Sequence, residues 1–229
     1  MTLRVIYNYI LVSIGLRKIL PAEIINRKEV RESGEALCTT QKRNIVFADA
    51  MSRYARQGMI DRLGRAADLV YLTYGLKLLI YELYRSPEKQ AELRVRNREE
   101  IVTAHPEFSE EQIMSALGRI SAGVGSSGHQ TGGAVDLSLC DEHGNPLDMG
   151  TRYLEHNEKT VTECQSITKE QRNNRKILLA AMRDAGFVNY PGEWWHFCYG
   201  DRMWAAYKHR RYAIYGEVSK FNEEKTSIS

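Results

Sequence analysis

Hydrophobic positions along this chain switch repeatedly between two periods. From Ile45 to Val70 the residues Met51, Tyr54, Ala55, Met59, Leu63, Ala66, Ala67 and Val70 fall near helical spacing, with Gly58 and Gly64 as candidate breaks. Leu76 to Tyr84 is a nearly continuous apolar run of strand length, and Pro87 ends it and can open the next helix. Ser109-Glu110-Glu111-Gln112 is a capping box for a helix running to about Ile120. Ala134 to Leu139 alternates: Val135, Leu137 and Leu139 share one face of a short strand, and Ala134, Asp136 and Ser138 the other. Asp141 to Pro146 is a turn between strands. Thr168-Lys169-Glu170-Gln171 is a second capping box. Its helix carries the apolar stripe Ile177, Leu178, Ala181, Met182 and Ala185 and stops at Gly186. Phe187 to Tyr190 reads as a strand, Pro191-Gly192 as a turn, and the aromatic run Trp194 to Tyr199 as another strand. Short strands mixed with capped helices, without a regular strand–helix–strand rhythm, predict an α+β fold with a central, mainly antiparallel sheet flanked by helices.

The ends of the chain read differently. Val5 to Leu16 is mostly apolar but interrupted by Asn8 and Ser13, and it is too short to span a membrane. Residues 1–25 are therefore an extension holding an amphipathic packing helix or, second, an atypical export signal without a clear cleavage site before Pro21. Residues 26–220 form a single domain, and 221–229 a polar, frayed tail.

Composition narrows the picture little. Hydrophobic residues make up 43%, enough for a substantial core, and the net charge of +3 is too balanced to suggest nucleic acid. No internal repeat, low-complexity tract or phosphate-binding glycine motif is present. Cys38, Cys140, Cys164 and Cys198 form no C-x-x-C pair, which favours reduced thiols and a cytoplasmic protein, with a periplasmic or secreted form as the alternative. Cys140 and Cys198 lie on two predicted strands, and nothing in the sequence pairs them.

Chemistry concentrates in two stretches. Ser126 to Gly133 is a run of small, turn-prone residues holding His129, followed by the strand that carries Asp136 between small side chains. Gly192-Glu193-Trp194-Trp195-His196 comes almost sixty residues later. Together they offer two imidazoles, one carboxylate and one spare glutamate, the parts of a catalytic zinc site. Three protein ligands leave a position for water, and a nearby carboxylate can move that water's proton. Strict strand alternation would put Glu193 and His196 on opposite faces, so a shared site requires a bend near Gly192 or Glu193. Taken singly, each residue has a plainer reading: Asp136 could cap a turn, Trp194 and Trp195 could be core or cleft wall, and His105, His143, His156 and His209 are read as satisfied core histidines.

The pattern S-x-H-x-x-G-x-A-x-D (Ser127 to Asp136) followed by E-W-W-H (Glu193 to His196) resembles the VanX-type D-alanyl-D-alanine dipeptidases. Those zinc enzymes are related to VanY-type D,D-carboxypeptidases and, by fold, to the hedgehog signalling domain. The resemblance runs from about Val30 to Ala206 and includes Arg56-Gln57-Gly58, Leu78 to Pro87, Met149-Gly150-Thr151 and Ala185 to Asp201. It implies one zinc ion per chain on His129, Asp136 and His196, with Glu193 as the general base. It gives Arg85 the role of holding the substrate carbonyl, within Glu82-Leu83-Tyr84-Arg85, where Glu82 replaces the family's Asp. It implies that Ser127 contacts substrate. An acid just after the M-G-[ST] segment faces the substrate amine in these enzymes. Here that position holds Leu154, and Glu155, one residue later, is the candidate substitute.

The activity so implied is zinc-dependent hydrolysis of D-Ala-D-Ala or a similar dipeptide. The alternatives are D,D-carboxypeptidase action on peptidoglycan stem peptides and a non-catalytic zinc-containing binding module. A binding module has no need of Glu193 or Arg85.

Overall fold

The computed structural model describes residues 19–39, 41–48, 52–123, 125–218 and 221. The readings made for residues 1–18 and for the tail from 222 onward lie outside the described residues.

A five-stranded sheet forms the centre, in the order β3 (Ile45–Phe47), β5 (Lys77–Glu82), β6 (Ala134–Cys140), β8 (His196–Cys198), β7 (Val188–Asn189). Only β3 and β5 run parallel; the other pairs are antiparallel. Two smaller ladders flank it: β1 (Glu29–Val30) with β9 (Tyr212–Ala213), and β2 (Leu37–Thr39) with β4 (Tyr54–Arg56). The α+β fold expected from the sequence is the fold observed. Every residue of β6 is buried, so this strand is covered on both faces.

The helices are α1 (Ala22–Asn26), α2 (Gln57–Tyr74), α3 (Pro87–Ala104), α4 (Glu110–Ile120), α5 (Lys169–Asp184) and α6 (Arg202–Tyr207). Helix α2 buries Met59, Ile60, Leu63, Ala66, Ala67 and Val70 against the main core and ends at Gly75, whose φ of 69° suits a residue without a side chain. Full burial of a side chain such as Leu63 stabilises by about 2 kcal/mol. Both capping boxes are present: Ser109 with Gln112 on α4, and Thr168 with Gln171 on α5. Pro87 opens α3, with Ser86 as its cap.

Two boundaries differ from the sequence reading. Within the helical spacing that starts at Ile45, Ile45–Phe47 and Tyr54–Arg56 are strands, and Met51 lies outside the described residues. Ile45–Phe47 pairs with Leu78–Ile80, and Tyr54–Arg56 with Leu37–Thr39, so distant partners override a local period. In the aromatic run only His196–Cys198 is strand; Trp194 and Trp195 sit in the turn before it. All four cysteines are free thiols. Cys198 pairs with Ala134, at the end of β6 opposite Cys140.

The register sets the site. Asp136 of β6 lies opposite Glu82 of β5 on one side and opposite His196 of β8 on the other. A bulge between Ile80 and Glu82 shifts β5 so that Glu82 faces Asp136.

Candidate metal centre

His129 stands on a short 3-10 turn, Gly128–Thr131, that ends at Gly132 with φ 69°. A side chain at Gly132 would run into Leu37. Arg56, itself buried, pins this turn from beneath: its Nε donates to Thr131 O at 2.8 Å, and its backbone N–H to Gly132 O at 3.1 Å. The His129 ring is fixed by Nδ1, which donates to Leu83 O at 2.6 Å and leaves Nε2 facing the cleft. This is the orientation a metal-binding imidazole needs, its second nitrogen held by a carbonyl.

The bend expected near Gly192 or Glu193 is present: Glu193 N–H donates to Tyr190 O at 3.0 Å. His196 N–H donates back to Glu193 O at 3.3 Å, and the Asn189 side-chain amide donates to both Glu193 O and His196 O at 3.0 Å. Glu193 and His196 consequently line the same cavity of about 550 Å³, together with Arg85, Ser127, His129, Asp136, Leu154 and Trp195.

Three ligand atoms converge there. His129 Nε2 lies 3.3 Å from His196 Nδ1 and 3.3 Å from Asp136 Oδ1, and His196 Nδ1 lies 2.8 Å from Asp136 Oδ1. Donors about 2.0 Å from a tetrahedral zinc would stand roughly 3.3 Å apart, so the donor set and its spacing fit the ion. Among the described residues this is the one group of three or more such side chains placed to hold a metal. Burial by itself would raise the Asp136 pKa, but His129 and His196 outweigh it and hold the carboxyl well below the usual range. Burial would lower the His129 pKa, and Asp136 reverses this to a net rise. Asp136 is therefore ionised and able to serve as a ligand.

The profile of the M15 peptidases, D-Ala-D-Ala dipeptidase, matches residues 46–215. The chain belongs to this family. Among its relatives, this M15 peptidase is 33% identical over 157 residues to the D-alanyl-D-alanine dipeptidase of Escherichia coli, covering 69% of this chain and 67% of that one. It is 40% identical over 107 residues to the enzyme of the same name from Synechocystis, covering 39% and 43%. Its fold resembles that of a vancomycin-resistance D,D-pentapeptidase, VanY, solved with Zn(II). The TM-score is 0.52 at 18% identity, covering 82% of this chain and 92% of that one.

The other predicted site residues of this M15 peptidase fall in different places. Glu193 is in the cavity, with 14% of its side chain exposed, and burial pushes its carboxyl up to about 8. Arg85 is buried: Nε donates to Glu82 Oε1 at 2.8 Å, Nη2 to Glu82 Oε2, and Nη1 to Gln90 Oε1 at 2.8 Å. Burial disfavours its charge, but Glu82 more than restores it. Ser127 is buried in the cavity wall. Glu155 does not line the cavity. Its side chain is exposed and accepts hydrogen bonds from Arg152 N–H and the Asn157 amide, both at 2.9 Å, so it closes its own loop. Leu154 takes the cavity position, in a left-handed conformation with φ 62° that turns the next side chain away.

Four residues outside the predicted set also belong here. Tyr153 Oη lies 3.1 Å from Asp136 Oδ2 and 3.3 Å from Glu82 Oε2. Burial and then these two carboxylates raise its pKa, so the phenol keeps its proton. His156, classed from sequence as ordinary, has Nδ1 3.8 Å from Glu193 Oε1 and packs edge-on against Trp195; burial lowers its pKa. Cys198 Sγ contacts His196 Nε2 at 3.3 Å, and Asp201 is linked to that thiol. The signal for Cys198 and Asp201 was their nearness to His196 in the chain. Tyr153 and His156 flank Leu154 and Glu155 and carried no pattern of their own.

Proposed function

We propose that this chain is a zinc-dependent dipeptidase hydrolysing D-Ala-D-Ala or a closely similar dipeptide. The observation that carries the reading is the convergence of His129 Nε2, Asp136 Oδ1 and His196 Nδ1 within 2.8–3.3 Å, in a cavity that also holds Glu193 and Arg85. Zinc bound to the three side chains supplies a Lewis acid and lowers the pKa of its water toward roughly 7.

The chain's own residues do the rest. Glu193 in its ionised form accepts the proton of the attacking water and delivers it to the leaving amine, and burial raises the proton affinity of that carboxylate. Arg85 has five N–H donors. Its three bonds to Glu82 and Gln90 fix the guanidinium, and the remaining donors serve the oxyanion that develops on the carbonyl. Trp195 and Leu154 wall the cavity and exclude water from the reacting bond. Ser127 contacts the substrate from the turn that carries His129.

One observation favours a second reading, D,D-carboxypeptidase action on longer peptides. Leu154 lines the cavity where an acid would meet a free substrate amine, and Glu155 faces away. An ammonium without a partner in such a site is costly. A panel of D-Ala-D-Ala, its N-acetyl form and a pentapeptide ending in D-Ala-D-Ala separates the two. A clear preference for the free dipeptide supports the dipeptidase, whereas equal or faster cutting of the blocked peptides replaces it with the carboxypeptidase.

The four free thiols support a cytoplasmic setting. No helix among the described residues is long and apolar enough to cross a membrane. Recovery of a processed form outside the cytoplasm on fractionation would overturn that placement.

A further inference from the structure

The two oxygens of Asp136 have separate duties. Oδ1 faces the imidazoles, 2.8 Å from His196 Nδ1 and 3.3 Å from His129 Nε2. Oδ2 faces the other way, 3.1 Å from Tyr153 Oη and 4.0 Å from Arg85 Nη2. A carboxylate free to rotate about its last bond can present both oxygens to a cation. One whose second oxygen receives a hydrogen bond is held to a single point of attachment.

Tyr153 is well braced for that task. Its ring stacks on Tyr81, with centroids 4.4 Å apart and planes 7° from parallel, and meets the edge of Trp195 at 5.7 Å. Its loop is tied down on both sides. Trp194 Nε1 donates to Thr151 Oγ1 at 2.8 Å, and the buried Arg175 donates to Met149 O at 2.7 Å and to Lys159 O at 2.9 Å. The second carboxylate near the phenol, Glu82, already accepts two donors from Arg85 and lies farther off at 3.3 Å. The single phenolic proton therefore goes to Asp136.

We propose that Tyr153 is a positioning residue, which by donating to Asp136 Oδ2 holds Asp136 as a one-oxygen metal ligand. The hydroxyl thereby keeps room at the metal for water and substrate. The proposal rests on the metal triad formed by His129, Asp136 and His196.

The test replaces zinc by cobalt(II), whose visible absorption reports coordination number, and also measures zinc affinity by competition with a chelating dye. Tyr153→Phe removes the hydroxyl and leaves the ring on Tyr81. Its cobalt bands should weaken and shift as Asp136 becomes free to attach through both oxygens, and its zinc dissociation constant should rise about 10- to 100-fold. Tyr153→Leu, which also removes the ring, should give the same altered cobalt spectrum. An unchanged spectrum and zinc affinity in Tyr153→Phe overturns the proposal. A change confined to Tyr153→Leu overturns it as well, because the ring and not the hydroxyl would then be acting. A wild-type protein that takes up no cobalt removes the triad itself, which separates failure of the metal site from failure of the role given to Tyr153.

Discussion

Glu193 offers a prediction with a stability arm and an activity arm. Burial raises its carboxyl from 4.5 to about 8 in the metal-free fold. The sign follows from linkage. An acid whose folded pKa is raised contributes its full stability below the unfolded value and loses it as pH rises through the folded one. At pH 7 the unfolded chain has released a proton that the folded chain retains. The cost is about 1.4 kcal/mol per pH unit above 4.5, which comes to roughly 3 kcal/mol at pH 7. Glu193→Gln keeps the shape and removes the ionisation. Metal-free Glu193→Gln should therefore match the wild type near pH 4.5 and exceed it by about 3 kcal/mol at pH 7, as read from urea denaturation at a series of pH values. With zinc restored, the variant should retain the metal and lose at least about 100-fold in turnover, the scale of general acid–base catalysis. Parallel stability curves for wild type and variant from pH 5 to 8 would refute the burial argument. Near-wild-type turnover with zinc bound would refute the role as base.

Three further outcomes are expected. His129→Ala or His196→Ala should lose most of the one zinc per chain, and full retention in both, by elemental analysis, would remove the ligand assignment. Arg85→Ala should lower kcat about 100-fold, with lysine a poor replacement because it cannot match the fork held by Glu82 and Gln90; a change confined to KM would make Arg85 a binding residue only. Glu155→Gln should change dipeptide kcat/KM by less than about 3-fold, since its carboxylate closes its own exposed loop, while Leu154→Asp should raise it at least about 10-fold by giving the free amine a partner in the cavity; the opposite ranking would return the amine contact to Glu155.

Much of the candidate site was legible in the sequence. The glycine-rich turn, the strand around Asp136 and the E-W-W-H segment held the candidate ligands and base, and the family resemblance, rather than any local pattern, singled them out. The capping boxes at Ser109 and Thr168 and the stop at Gly186 were readable because their hydrogen bonds close within a few residues of sequence. Where a distant strand competes with a local period, the reading failed. Ile45–Phe47 and Tyr54–Arg56 are strands because Leu78–Ile80 and Leu37–Thr39 supply their partners.

The sequence by itself determined which side chains are candidates for the chemistry and roughly which elements present them. The tertiary structure decided how they meet. Strand register placed Glu82, Asp136 and His196 across three neighbouring strands, and the Asn189 clamp turned Glu193 to the same side as His196. It also decided what no motif announced: that Tyr153 reaches Asp136, that His156 stands beside Glu193, and that Leu154 rather than Glu155 faces the cavity. The reason is physical. A hydrogen bond across the sheet or between loops depends on where two distant backbones come to rest, and that is fixed by packing of the whole core, whereas local patterns record only what a residue's near neighbours require.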